Sequence, residues 1–143
     1  MASTADFTKT VSVDTLNKMS VNTLAENLGI MFTDIGEDWM TAKMPVDHRT
    51  HQPYGLLHGG ASVALAETMG SIAAHCSIDS TKYYCVGLEI NANHLKGVRN
   101  GFVYGTVKPI HRGRSTQVWE IRIVNEQKEL VCVSRITIAV LSK

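Results

Sequence analysis

The chain has 143 residues, a mass of 15.7 kDa and a formal net charge of +1. Apolar residues make up 44% of it and charged residues 19%, which excludes a disordered chain. So small a net charge also argues against a nucleic-acid binder that works by neutralising phosphates.

The length predicts one domain over 1–143, able to bury about two-thirds of its unfolded surface. Cys76, Cys85 and Cys132 are odd in number and form no C-x-x-C pair. This points to reduced thiols in a cytoplasmic protein rather than to disulfides or a zinc site. The first residues carry an early Asp6 and no apolar run, so no secretory leader is expected. No apolar stretch is long enough to span a membrane.

In chain order, Leu16, Met19, Leu24 and Leu28 recur near a helical period. They predict a helix over 13–28, stopped by Gly29. From Met31 the pattern predicts two strands meeting at Gly36–Asp38, the second alternating through Met40, Ala42 and Met44 and ending at Pro45. Residues 47–58, with Pro53 and Gly55, read as a loop. Residues 60–77 read as a helix that is apolar almost all round, which implies burial on most faces. Four strands follow, over 83–93, 102–111, 116–125 and 129–141, spaced as an antiparallel meander. The sum is an α+β chain with one antiparallel sheet curled round one main helix. A second copy is expected to close the assembly.

Glu67 is the only Asp, Glu, Lys or Arg between Arg49 and Asp79. A carboxylate on a buried helix loses hydration, which raises its pKa and suits a base. The plainer reading is that Glu67 marks the helix's one wet face. Ser71 lies one turn later on that face, where a hydroxyl could orient water. Gly59 and Gly60 open the helix, where free N–H groups and the positive dipole end can polarise a carbonyl oxygen. Taken alone they are an ordinary loop-to-helix joint. Gln52 and His58 stand in the same loop.

The run Gln52-Pro53-Tyr54-Gly55-Leu56-Leu57-His58-Gly59-Gly60, followed by Glu67 and Ser71, resembles the hotdog-fold acyl-CoA thioesterases. The branch it is most similar to is the Arthrobacter type of 4-hydroxybenzoyl-CoA thioesterase. Residues 86–94, VGLEINANH, and the C-terminal strands extend the likeness over roughly 13–141. The resemblance implies a curved antiparallel sheet wrapped round a central helix. It implies homodimers, paired again as a dimer of dimers, with active sites at the dimer interface. It makes Glu67 of one subunit the catalytic carboxylate, as general base or nucleophile, and makes the Gly59 N–H of the partner the polarising donor. Gln52 and His58 would line the pocket and Ser71 would position water; many relatives have Thr there. Tyr54 and Met69 are expected on a wall that takes an aromatic or short acyl group, of the 1,4-dihydroxy-2-naphthoyl or benzoyl kind. No metal and no cofactor is implied, since coenzyme A is part of the substrate.

From Asn91 to Trp119 there is no acidic residue, while Lys96, Arg99, Lys108, Arg112 and Arg114 give +5 in a chain of net +1. The plain reading is solvated strand ends and turns. Coenzyme A carries phosphates that want Lys and Arg donors. The resemblance puts His94, Lys96, Arg112 and Arg114 near its nucleotide end. Other signals are weaker. Gly60–Ala64 half matches a serine nucleophile elbow but lacks the final Gly. His48, His51 and His58 do not have metal-ligand spacing. His75 and Cys76, adjacent on a helix, cannot face each other. Two rival readings stand beside hydrolysis: a hotdog dehydratase, and a non-enzymatic acyl-CoA binding or sensing module.

Overall fold

The computed structural model describes residues 6–143; the expectation of no leader falls partly on residues 1–5, which lie outside them. Polar residues start the first helices. Asp6 caps α1 (Phe7–Thr10) by accepting the Thr8 N–H, and Ser12 caps α2 (Val13–Met19) by accepting that of Thr15. The helix predicted over 13–28 is two helices, α2 and α3 (Leu24–Asn27). Asn22 between them takes a left-handed φ of 62°, and its N–H donates to Glu26 Oε2 at 2.7 Å. That bend breaks the periodic face: Leu16 is fully buried, whereas Met19 and Leu24 are exposed.

The predicted hairpin forms from β1 (Met31–Ile35) and β2 (Met40–Pro45). After the long helix α4 (Gly59–Cys76) come β3 (Tyr83–His94), β4 (Phe102–Arg112), β5 (Thr116–Val124) and β6 (Leu130–Ser142). All six strands pair antiparallel in the order β1-β2-β4-β5-β6-β3. The meander expected of four strands is therefore one of three, β4–β5–β6. β3 crosses to the far edge and pairs with β6, from Tyr83 opposite Ser142 to His94 opposite Cys132.

The sheet receives α4 against β2, β3, β4, β5 and β6. A long helix cradled by a single antiparallel sheet is the hotdog architecture. The helix buries one face, through Ala61, Leu65, Ala66, Met69, Ala73 and Ala74. Small residues let it come close. A Cβ on Gly70 would lie 2.5 Å from Ile136, and one on Gly105 of β4 would lie 2.6 Å from the Met69 sulfur. The opposite stripe, with Gly60, Glu67 and His75, is exposed in the chain. Burial on most faces is thus not what the chain itself supplies. At its far end α4 is tied to β5 by a buried relay. The Trp119 indole N–H donates to Gln117 Oε1 at 2.8 Å, and the Gln117 amide donates to Ser77 Oγ at 3.0 Å. Phe7 stacks on Trp119 with ring centres 6.1 Å apart. Among the described residues, no helix is long and apolar enough to cross a membrane.

Candidate active site

The site begins with the way α4 starts. His58 sits at the N-cap in extended geometry and accepts the Gly60 N–H on its ring Nδ1 at 2.7 Å. Accepting there requires the neutral ring with its proton on Nε2. The His58 carbonyl accepts the N–H groups of Ala61 at 3.0 Å and Ser62 at 3.2 Å. Of the N–H groups from Gly59 to Ser62, only that of Gly59 is left without a partner among the described residues. A helix start always has spare donors; here the capping residue reduces them to one and fixes its place.

The preceding loop is pinned on both sides. His58 N–H donates to Thr50 O at 2.8 Å, Leu57 N–H to Val98 O at 2.7 Å, and Gln52 N–H to Leu56 O at 2.8 Å. Gly55 closes the turn with a left-handed φ of 75°, where a side chain would be strained. Gln52 Oε1 accepts the Tyr54 N–H, which leaves its amide NH2 as the free end.

Gln52, Leu56, Gly59, Ser62, His94 and Lys96 line one cleft of about 380 Å³. His94, the last residue of β3, lies against the helix start: a Cβ on Gly59 would stand 3.0 Å from its Nε2. Lys96 pairs with Glu129 at 2.9 Å. The Glu129 carboxyl is held below the usual range by its hydrogen bond from Asn125 first, and by Lys96 second. Neither Asn125 nor Glu129 carries a motif or a spacing that marks it in the sequence. The break between the strands predicted over 116–125 and 129–141 carries no information about a partner thirty residues upstream.

Other expected residues lie elsewhere. Glu67 is exposed and lies outside the cleft. It stands eight residues past Gly59, about 12 Å along the helix axis. Ser71 is half-buried one turn beyond it. The expected desolvation of Glu67 is not supplied by the chain's own packing. Met69 is fully buried beneath Gly105, and Tyr54 is 84% exposed, so the pair does not form one pocket wall.

The four basic residues do not gather in one chain either. Arg112 lies over the Trp119 ring, 6.0 Å from its centre. Arg114 lines a second cleft, of about 240 Å³, with Ile78, Asp79 and Tyr83 beyond the other end of α4. His94 lies opposite Cys132 on β6, while Ser115 accepts the Val140 N–H. Eight strand residues separate those two points, about 27 Å.

Residues 54–132 match the thioesterase superfamily. The 1,4-dihydroxy-2-naphthoyl-CoA hydrolase of Escherichia coli is 48% identical over 131 residues, covering 92% of this chain and 96% of that protein. The proofreading thioesterase EntH of Cronobacter sakazakii is 49% identical over 131 residues, covering 92% and 95%. The crystal structure of a mutant of thioesterase PA1618 from Pseudomonas aeruginosa superposes with a TM-score of 0.92 at 47% identity, over 94% of this chain and 97% of that one. Fold and sequence agree, and the chain belongs to the thioesterase superfamily as a thioester hydrolase.

Proposed function

We propose that the chain hydrolyses an acyl-CoA thioester to the free acid and coenzyme A. The acyl group is aromatic or small, of the 1,4-dihydroxy-2-naphthoyl or benzoyl class. The observation that carries this reading is the N–H of Gly59, which has no partner among the described residues and belongs to a residue that lines the cleft. A donor held rigidly at the positive end of a helix stabilises the negative charge that grows on a thioester oxygen during attack. Two thioester-cleaving relatives favour hydrolysis over dehydration, and the hydrolase of Escherichia coli, which acts on 1,4-dihydroxy-2-naphthoyl-CoA, favours an aromatic acyl-CoA.

In this reading Glu67 either removes a proton from the attacking water or attacks the carbonyl itself to give an anhydride that water then opens. Coenzyme A leaves as a thiolate, which needs little acid help. Ser71 positions the water. Gln52 offers its amide NH2 beside the Gly59 donor, and His58 holds that donor in place through the cap.

The distance along α4 favours a site shared between two copies. Glu67 cannot reach a carbonyl bound at the Gly59 of its own helix, about 12 Å away. The proposed site therefore joins Gly59 of one copy to Glu67 of a second in a homodimer, and the family resemblance adds the pairing of homodimers into tetramers. His94 and Lys96 would meet the nucleotide, with Arg112 and Arg114 contributed by the other copy. A cytoplasmic location fits the three unpaired thiols.

The test is thiol release from benzoyl-, 4-hydroxybenzoyl-, 1,4-dihydroxy-2-naphthoyl-, hexanoyl- and palmitoyl-CoA. Wild type should turn over the aromatic members fastest. Glu67→Ala should lose that turnover and still bind coenzyme A. A Glu67→Ala variant with near-normal kcat would overturn the mechanism.

A further inference from the structure

Lys96 is not a waiting phosphate ligand. Its Nζ lies 2.9 Å from Glu129 Oε2. Glu129 in turn does not hang free. Its other oxygen accepts the Asn125 amide at 3.0 Å. Asn125 is buried and is itself fixed, because its Oδ1 accepts the N–H groups of Gln127 at 3.0 Å and Glu129 at 2.9 Å. A carboxylate is thus clamped outside the cleft's lining, and its charge stays beside Lys96, which lines the cleft.

We propose that Glu129 is an internal competitor for the nucleotide phosphates of the substrate, an anchored anion that a coenzyme A phosphate must displace from Lys96. This rests on the acyl-CoA reading given above. The consequence has a definite sign. An arriving phosphate meets a lysine already neutralised and a fixed negative charge beside it, so binding is weaker than Lys96 alone would give. Substrate and product share the same phosphates. Weakening that grip is uniform: it raises KM, leaves the chemical step alone and lets coenzyme A depart.

Glu129→Gln removes the charge and keeps an amide oxygen to accept from Asn125. In steady-state assays with benzoyl-CoA it should lower KM about threefold, the scale of a half-exposed ion pair. The inhibition constant of free coenzyme A should fall by the same factor, with kcat unchanged or lower. With benzoyl-pantetheine, which has no nucleotide, KM should not move. Lys96→Ala should raise KM for benzoyl-CoA alone.

A merely structural role for Glu129 would change both substrates alike or lower kcat without the KM difference. An unchanged or raised KM for benzoyl-CoA in Glu129→Gln, with Lys96→Ala still raising it, overturns the competitor and spares the acyl-CoA reading. Lys96→Ala with an unchanged KM overturns the phosphate contact itself, and the competitor with it.

Discussion

Gly59→Ala separates stability from catalysis more sharply than any other change at this site. Gly59 is the first residue of α4 and has no left-handed backbone, so alanine fits its φ and ψ. Its Cβ would stand 3.0 Å from His94 Nε2, 3.2 Å from Cε1 and 3.3 Å from Cδ2. Comfortable contacts between such atoms are about 3.5 Å or more, so the ring must withdraw by roughly 0.5 Å. His94 is exposed and can do so. Alanine gains up to about 1 kcal/mol of helix propensity over glycine, less at a helix end, which offsets the displaced ring. The melting temperature should therefore stay within about 3 °C of wild type.

Activity should not stay. The new methyl shares the cleft with the Gly59 N–H and pushes away the side chain that lines it. Removing an oxyanion donor outright costs about 10²–10³ in kcat. A donor that is kept but obstructed should cost about tenfold to a hundredfold. The assay pairs thermal unfolding with thiol release from benzoyl-CoA. Adding His94→Ala distinguishes the cause. It restores activity if the displaced ring does the harm, and fails to if the methyl itself blocks the carbonyl. A Gly59→Ala enzyme with kcat/KM within twofold of wild type would refute the obstruction, and with it a thioester carbonyl seated against the face of Gly59 that the methyl occupies.

Two further outcomes are expected from the rest of the chain. Gln117→Leu strands the buried Trp119 indole N–H and removes the amide that reaches Ser77, so it should cost about 1–3 kcal/mol in denaturant unfolding; a loss below 0.5 kcal/mol would mean that water replaces the relay. Burial pushes the Cys76 thiol up to about 11 and raises those of Cys85 and Cys132, so Ellman's reagent should label the native protein slowly and all three thiols rapidly in denaturant. Fast labelling of Cys76 at pH 8 would contradict the packing at the end of α4.

How much of this was readable in the sequence depends on whether a feature is local. The hairpin at Gly36, the helix from Gly59 and each C-terminal strand announce themselves through neighbours, and they stand where expected within a residue or so. The break at Asn22 is also local, yet the apolar spacing runs through it and hides it. Strand spacing carries no information on which partner a strand takes: it predicts β3 beside β4, whereas β3 lies beside β6. The site divides the same way. Gln52, Gly59, His94 and Lys96 do share a cleft, because the loop, the helix start and the end of β3 meet there. The loop sequence marks His58 as a pocket residue, but its capping bond depends on a ring rotamer that sequence does not encode locally. Glu129 is not legible in the sequence, because an ion pair spanning thirty-three residues leaves no periodic trace.

The separation of Gly59 from Glu67 along one helix makes a last prediction that the single chain can frame. If each site takes its donor from one copy and its carboxylate from the other, two defective chains can repair each other. A Glu67→Ala chain paired with a chain whose Gly59 is blocked by a bulky residue builds one site with both defects and one with neither. Random mixing of equal amounts makes about half the dimers hybrid, each with one intact site of two, so about a quarter of wild-type activity should return. Sites built within a single chain would leave every site defective and return none. The control is either variant alone, which should stay inactive after the same unfolding and refolding. Recovery in the mixture would place the thioester between two copies; no recovery, with hybrids shown to form, would require Glu67 to act through some route that the length of α4 does not allow, and the carboxylate would have to be sought elsewhere.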